Sequence, residues 1–77
     1  MTPEKAMSYA REDIAELRRA PTHGDCKALH APILGYFRTL QFCGAISAAQ
    51  QKMLIAEADA ELAGWRKPAE LPGQQSD

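Results

Sequence analysis

The stretch Leu40-Gln41-Phe42-Cys43-Gly44-Ala45-Ile46-Ser47-Ala48-Ala49-Gln50 limits the fold more than any other part of this chain. Gly44 reads as a helix stop, because glycine enters the left-handed conformation at a helix end without a Cβ penalty. Ser47 reads as a helix start. Its hydroxyl can accept from the backbone N–H of Gln50, and the Gln50 side chain can reach back to the N–H of Ser47, which makes a capping box. Ile46 precedes the cap as a staple residue, set to pack near Gln51 or onto the helix behind. The stretch is therefore a corner between two helices, and the rest of the chain must be arranged around it.

The N-terminal segment supplies a first helix. Thr2 is an N-cap, Pro3 suits the first turn, and Glu4 suits the positive end of the helix dipole. Met7, Ala10, Ile14 and Leu17 recur at steps of three and four. Arg11, Glu12, Asp13, Glu16, Arg18 and Arg19 cover the other face. Glu12 and Glu16 are like-charged neighbours, and Arg11–Glu16 and Asp13–Arg18 miss the helical step by one. This face is expected to be a solvated or partner-docking surface rather than a ladder of ion pairs. Pro21 biases Ala20 out of the helical region and ends the segment.

A loop over Pro21-Thr22-His23-Gly24-Asp25 follows, with Thr22 or Asp25 as the next cap. The second helix then runs from about Cys26 to Cys43. Pro32 lies inside it, lacks an N–H and presses on the carbonyl of Ala28, so a kink or break is expected there. Its apolar stripe is Leu29, Ile33, Phe37 with Tyr36, Leu40 and Cys43 or Gly44. Leu34 and Phe42 stand off that stripe. The segment is thus apolar on more than one side, and it should touch both other helices or meet a second subunit. Gly35 permits close helix approach at some cost in helix stability. The third helix spans Ala48 to Ala63. Met53, Ala56, Ala60 and Ala63 form one strip; Leu54, Ala58, Leu62 and Trp65 form its neighbour. Glu57, Asp59 and Glu61 give an acidic outer face. Gly64 stops the helix and Trp65 can fold back over the last turn. The remainder, with Pro68, Pro72 and Gly73, is expected to be a disordered tail.

The predicted architecture is therefore all-α: a three-helix bundle with helices near 3–20, 25–43 and 47–63, a single domain over 1–65, and a flexible tail over 66–77. A chain of 77 residues holds one domain at most. A core of this size contributes roughly 3–5 kcal/mol of net stability, which favours self-association or folding onto a partner. Much of the 45% apolar fraction is alanine, which suits close helix contacts. A net charge of −1 argues against nucleic-acid binding through bulk charge. Cys26 and Cys43 occur without an apolar leader after Met1, so an intracellular, cytoplasmic protein with reduced thiols is expected. No window approaches the roughly 18 apolar residues of a membrane span.

Reactive constellations are sparse. His23, Cys26 and His30, with Asp25 and Cys43 as further candidates, have spacings that would share one face of a continuous helix, and zinc takes such ligands. They lack the paired ligands of closed sites, and His23 is expected in the loop, so no metal and no cofactor are assigned. Cys26 and His30 make a thiol–imidazole pair one turn apart with no pocket around it, so no catalysis is expected. A Cys26–Cys43 disulfide would have to cross about 25 Å of helix at 1.5 Å per residue, unless a break at Pro32 folds the segment back. A DNA-binding helix-turn-helix wants a small residue four before Gly44 and an apolar one six after; Leu40 and Gln50 stand there. The would-be recognition helix offers Lys52 and then three acids.

What remains is protein binding. Tyr9, Arg11, Arg18 and Arg19 on the first helix, with Tyr36 and Arg38 on the second, are the candidate partner-binding residues, because Tyr and Arg anchor interfaces. The run Leu34-Gly35-Tyr36-Phe37-Arg38-Thr39-Leu40, followed by Gly44-Ala45-Ile46-Ser47, resembles a pattern in small helical accessory proteins of bacteriophages and prophages. These carry an aromatic-bearing helix, a Gly-x-Ile-Ser corner and an acidic, Ala-rich helix; the likeness covers about residues 33–62. It transfers no functional residue. It implies a binder that blocks a host enzyme or defence complex, as anti-CRISPR proteins do. The expected function is thus a non-enzymatic protein-binding inhibitor of a host protein, dimerising through the second helix. The alternative is a small dimeric DNA-associated regulator.

Overall fold

A computed structural model describes residues 2–67 as three helices, α1 (Pro3–Arg19), α2 (His23–Phe42) and α3 (Ala48–Ala63), with no strand among the described residues. The predicted all-α three-helix bundle is the observed fold. The expected tail over 66–77 lies, from residue 68 on, outside the described residues. Each helix packs on both others. Advancing along α1 from Arg11 to Arg18 moves the ion-pair partner along α3 from Glu57 to Glu61, so α1 and α3 run in the same direction. The short connectors place α2 antiparallel between them.

Each helix start is capped by a hydroxyl. Thr2 accepts from Lys5 N–H at 3.2 Å, Thr22 from Asp25 N–H at 3.0 Å, and Ser47 from Gln50 N–H at 3.0 Å. The capping box closes, with the Ser47 N–H donating to Gln50 Oε1 at 2.8 Å. At the end of α2, Gly44 adopts φ 83°, and the Ala45 N–H donates to the Leu40 carbonyl at 2.8 Å. This satisfies a carbonyl that the helix end leaves without a partner. Because a Cβ at Gly44 would meet nothing within 4 Å, Gly44→Ala carries backbone strain alone. We expect it to lower stability by about 1–2 kcal/mol, read as a lower urea midpoint with an unchanged slope.

The core joins Ala6, Ala10, Ile14 and Leu17 of α1 to Cys26, Ile33, Phe37 and Leu40 of α2 and to Leu54 and Ala58 of α3. Ala20 and Ile46, from the two connectors, complete it. Phe37 is its largest fully buried side chain. Alanines at 6, 10 and 58 let the backbones approach closely, as the Ala-rich composition suggests.

Several local expectations are corrected. α2 is one continuous helix through Pro32, not two segments. Proline forfeits one bond, to Ala28, and both residues lie exposed, so water can serve the freed carbonyl. His23 is the first residue of α2 rather than part of a loop, because Thr22 and not Asp25 is the cap. The buried stripe of α2 is Cys26, Ile33, Phe37 and Leu40, whereas Leu29 is exposed. On α3 the strip of Leu54 and Ala58 faces the core, and Met53, Ala56, Ala60 and Ala63 face outward. Trp65 reaches beyond its own helix. Its indole N–H donates to the Ala20 carbonyl at 3.1 Å, and its ring lies 5.7 Å from that of His23, so it closes the α1–α2 connector.

Candidate partner-binding surface

The six residues singled out from the sequence do not form one patch. Arg11 reaches across to Glu57, with Nε to Oε1 at 3.4 Å and Nη2 to Oε2 at 3.3 Å. Arg18 makes a tighter two-point pair with Glu61, at 3.2 and 2.7 Å. Arg19 pairs with Glu16 at 2.8 Å within α1. All three arginines of α1 are therefore tied inside the molecule. The acids of α3 do not stand free on an outer face: Glu57 and Glu61 pair with arginines of α1, and Asp59 Oδ1 lies 2.7 Å from His30 Nε2 of α2, within hydrogen-bond reach. These pairs are exposed on at least one side, so each contributes little to stability on its own and chiefly sets how the helices meet. Tyr36 is half-buried against the core, its ring 6.3 Å from Phe37. Of the six, only Tyr9 and Arg38 present exposed side chains with no hydrogen-bond or ion-pair partner among the described residues.

The Glu61 carboxyl is held below the usual range, chiefly by its hydrogen bond from Arg18, against an opposing effect of burial; Arg18 charge adds to the lowering. A carboxyl whose pKa is lower folded than unfolded adds stability at pH above its unfolded value, and that stability is lost as pH falls through the folded value. Asp13 runs the other way: burial first, then Glu12 and Glu16, raises its pKa, so its contribution favours folding at low pH and is lost as pH rises. Replacing Arg18 with Gln should therefore shrink the acid destabilisation measured by urea unfolding between neutral pH and pH about 3. The change should stay below about 1 kcal/mol, because Arg18 is largely solvated.

The residue that sequence reasoning left off its list is Phe42. It is 90% exposed at the last position of α2, the most solvated of the large apolar side chains described. The signal was present, since Phe42 stands off the buried stripe. It borders a shallow groove of about 410 Å³ with Arg38, Thr39, Gln41 and Gln51. Cys43, beside it, is a free, exposed thiol. A smaller groove of about 220 Å³ lies at the other end of α3, between Arg18, Glu61, Gly64, Trp65 and Arg66.

The reactive groups are dispersed. Cys26 is fully buried and its thiol pKa is pushed up, mainly by burial and also by Glu61, which keeps the sulfur protonated and unreactive. His30 bonds to Asp59 rather than to the thiol. Among the described residues no three His, Cys, Asp or Glu side chains converge as metal ligands, so the His23, Cys26 and His30 spacing does not close into a site. The two cysteines are free, and the continuous α2 holds them apart. Among the described residues no buried side-chain nitrogen or oxygen lacks a hydrogen-bond partner. No helix among the described residues is long and apolar enough to cross a membrane. No family model, curated protein or solved structure matches the chain.

Proposed function

We propose that this protein is a non-enzymatic binding module that acts by covering a surface of a host protein, as a phage- or prophage-encoded inhibitor of the anti-CRISPR kind would. One observation carries the reading: Phe42 stands almost wholly in water at a corner closed by the Gly44 turn and the Ser47 capping box. A phenylalanine contributes strongly to an interface once desolvated and nothing to this fold where it stands. The rest of the molecule supports the reading by what its side chains are already doing. Cys26 is buried, His30 is paired, and the arginines of α1 are held by carboxylates. The groove beside Phe42 is open and shallow, suited to a partner's side chains more than to an enclosed small substrate.

Affinity capture from bacterial lysate tests this. The expected result is one protein retained at a fixed ratio, with only a modest loss at raised salt, since the apolar contact of Phe42 is not screened. Retention of DNA with an affinity that drops steeply with salt would instead favour a nucleic-acid-associated regulator. Capture of no specific protein would contradict the inhibitor reading.

A further inference from the structure

We infer that the Phe42 corner is built for an acidic segment of a partner protein, with Phe42 seated on an apolar side chain and Arg38 paired to a carboxylate. This rests on the binding-module reading and adds the chemistry of the partner. No Asp or Glu occurs between Asp25 and Glu57, whereas Lys27, Arg38 and Lys52 fall in that run. The eight acids from residue 2 to residue 67 thus all lie outside the stretch that builds the corner, and Glu57, Asp59 and Glu61 are already paired. Arg38, in contrast to Arg11, Arg18 and Arg19, forms no ion pair among the described residues. Arg38 and Phe42 are one helical turn apart and line the same groove. A planar guanidinium beside an exposed ring offers a carboxylate a two-point partner and its neighbour an apolar seat.

The other two walls choose between classes of partner. Gln41 and Gln51 bring side-chain amides to the groove. Each amide offers both a donor and an acceptor, which matches the alternating N–H and C=O groups of an extended peptide. Single-stranded nucleic acid is held by successive aromatic platforms along a basic track, and this corner has one ring. A second copy meeting this corner with its own corner would bring no carboxylate to Arg38, since no Asp or Glu lies between Asp25 and Glu57.

The test is a ¹⁵N chemical-shift titration of the full chain with a blocked peptide alternating glutamate and leucine. Its glutamine counterpart and single-stranded oligothymidylate serve as comparisons. Saturable shifts confined to Arg38–Phe42 and Gln51 are expected with the acidic peptide. Affinity should fall about tenfold or more in Phe42→Ala and in Arg38→Glu, a loss of roughly 1.4 kcal/mol. Both positions are exposed, so the variants keep the wild-type spectrum elsewhere. Equal binding of the glutamine peptide, tighter binding of the oligonucleotide, or no shift at the corner would overturn the inference. If lysate capture still yields a stoichiometric protein complex in those cases, the binding-module reading stands and only the acidic chemistry fails.

Discussion

Phe37→Ala should leave most of the chain unfolded at 25 °C. Phe37 is fully buried on α2, which packs on both other helices, and no larger side chain is sealed in the core. Removing a buried phenyl group costs about 3–5 kcal/mol, part of it lost transfer and part the cavity left behind. A domain of this size has only roughly 3–5 kcal/mol of net stability to lose. The core that would have to collapse includes alanines at 6, 10 and 58, which have no side-chain reach to refill space. Far-UV circular dichroism with urea titration would show the helical signal lost or the midpoint near zero denaturant. A loss below about 1 kcal/mol would mean that Phe37 is not the keystone described above.

Leu54→Ala should be nearly as damaging for a different reason. Leu54 and Ala58 are the only fully buried residues of α3, so one leucine supplies the main apolar anchor of that helix. Ile55 and Leu62 flank the core only in part. Burial of a leucine and its cavity amount to about 2–5 kcal/mol, while the exposed pairs Arg11–Glu57 and Arg18–Glu61 cannot replace it. The expected result is increased amide hydrogen exchange through α3 first, then a lowered global stability. Protection of α3 equal to that of α1 would show that the ion pairs, not Leu54, hold it.

The corner at Gly44 and Ser47 was readable because its chemistry is local. A left-handed position selects glycine, and a capping box selects Ser and Gln three apart, whatever the rest of the chain does. The same holds for Thr2 and Thr22. Which stripe of a helix faces inward was less readable where two stripes are both apolar. On α3 both strips are wholly apolar, Met53, Ala56, Ala60 and Ala63 beside Leu54, Ala58, Leu62 and Trp65, and the strip with the larger side chains is the one that turns inward. Cys26 displaced Leu29 because, with α2 beginning at His23 and running unbroken through Pro32, its thiol falls under Ile33 by the helical repeat.

The surface was legible in type and not in detail. Arginine and tyrosine do mark interfaces in general, but Arg11 and Arg18 find their carboxylates on α3, more than forty positions along the chain, and helical spacing within α1 carries no trace of that. Glu16–Arg19, at three apart, was within reach of the periodicity argument. Phe42 was visible as an apolar residue off the stripe, yet its exposure depends on α2 ending there and α3 turning away at Gly44.

The central claim is that Phe42 serves a partner and not the fold. Size-exclusion chromatography of the captured complex, run side by side for wild type and Phe42→Ala, tests it most directly. Wild type should co-elute with its partner at a fixed ratio, while Phe42→Ala should elute alone with helical content unchanged. A Phe42→Ala protein that still carries the partner into the complex peak would contradict the claim.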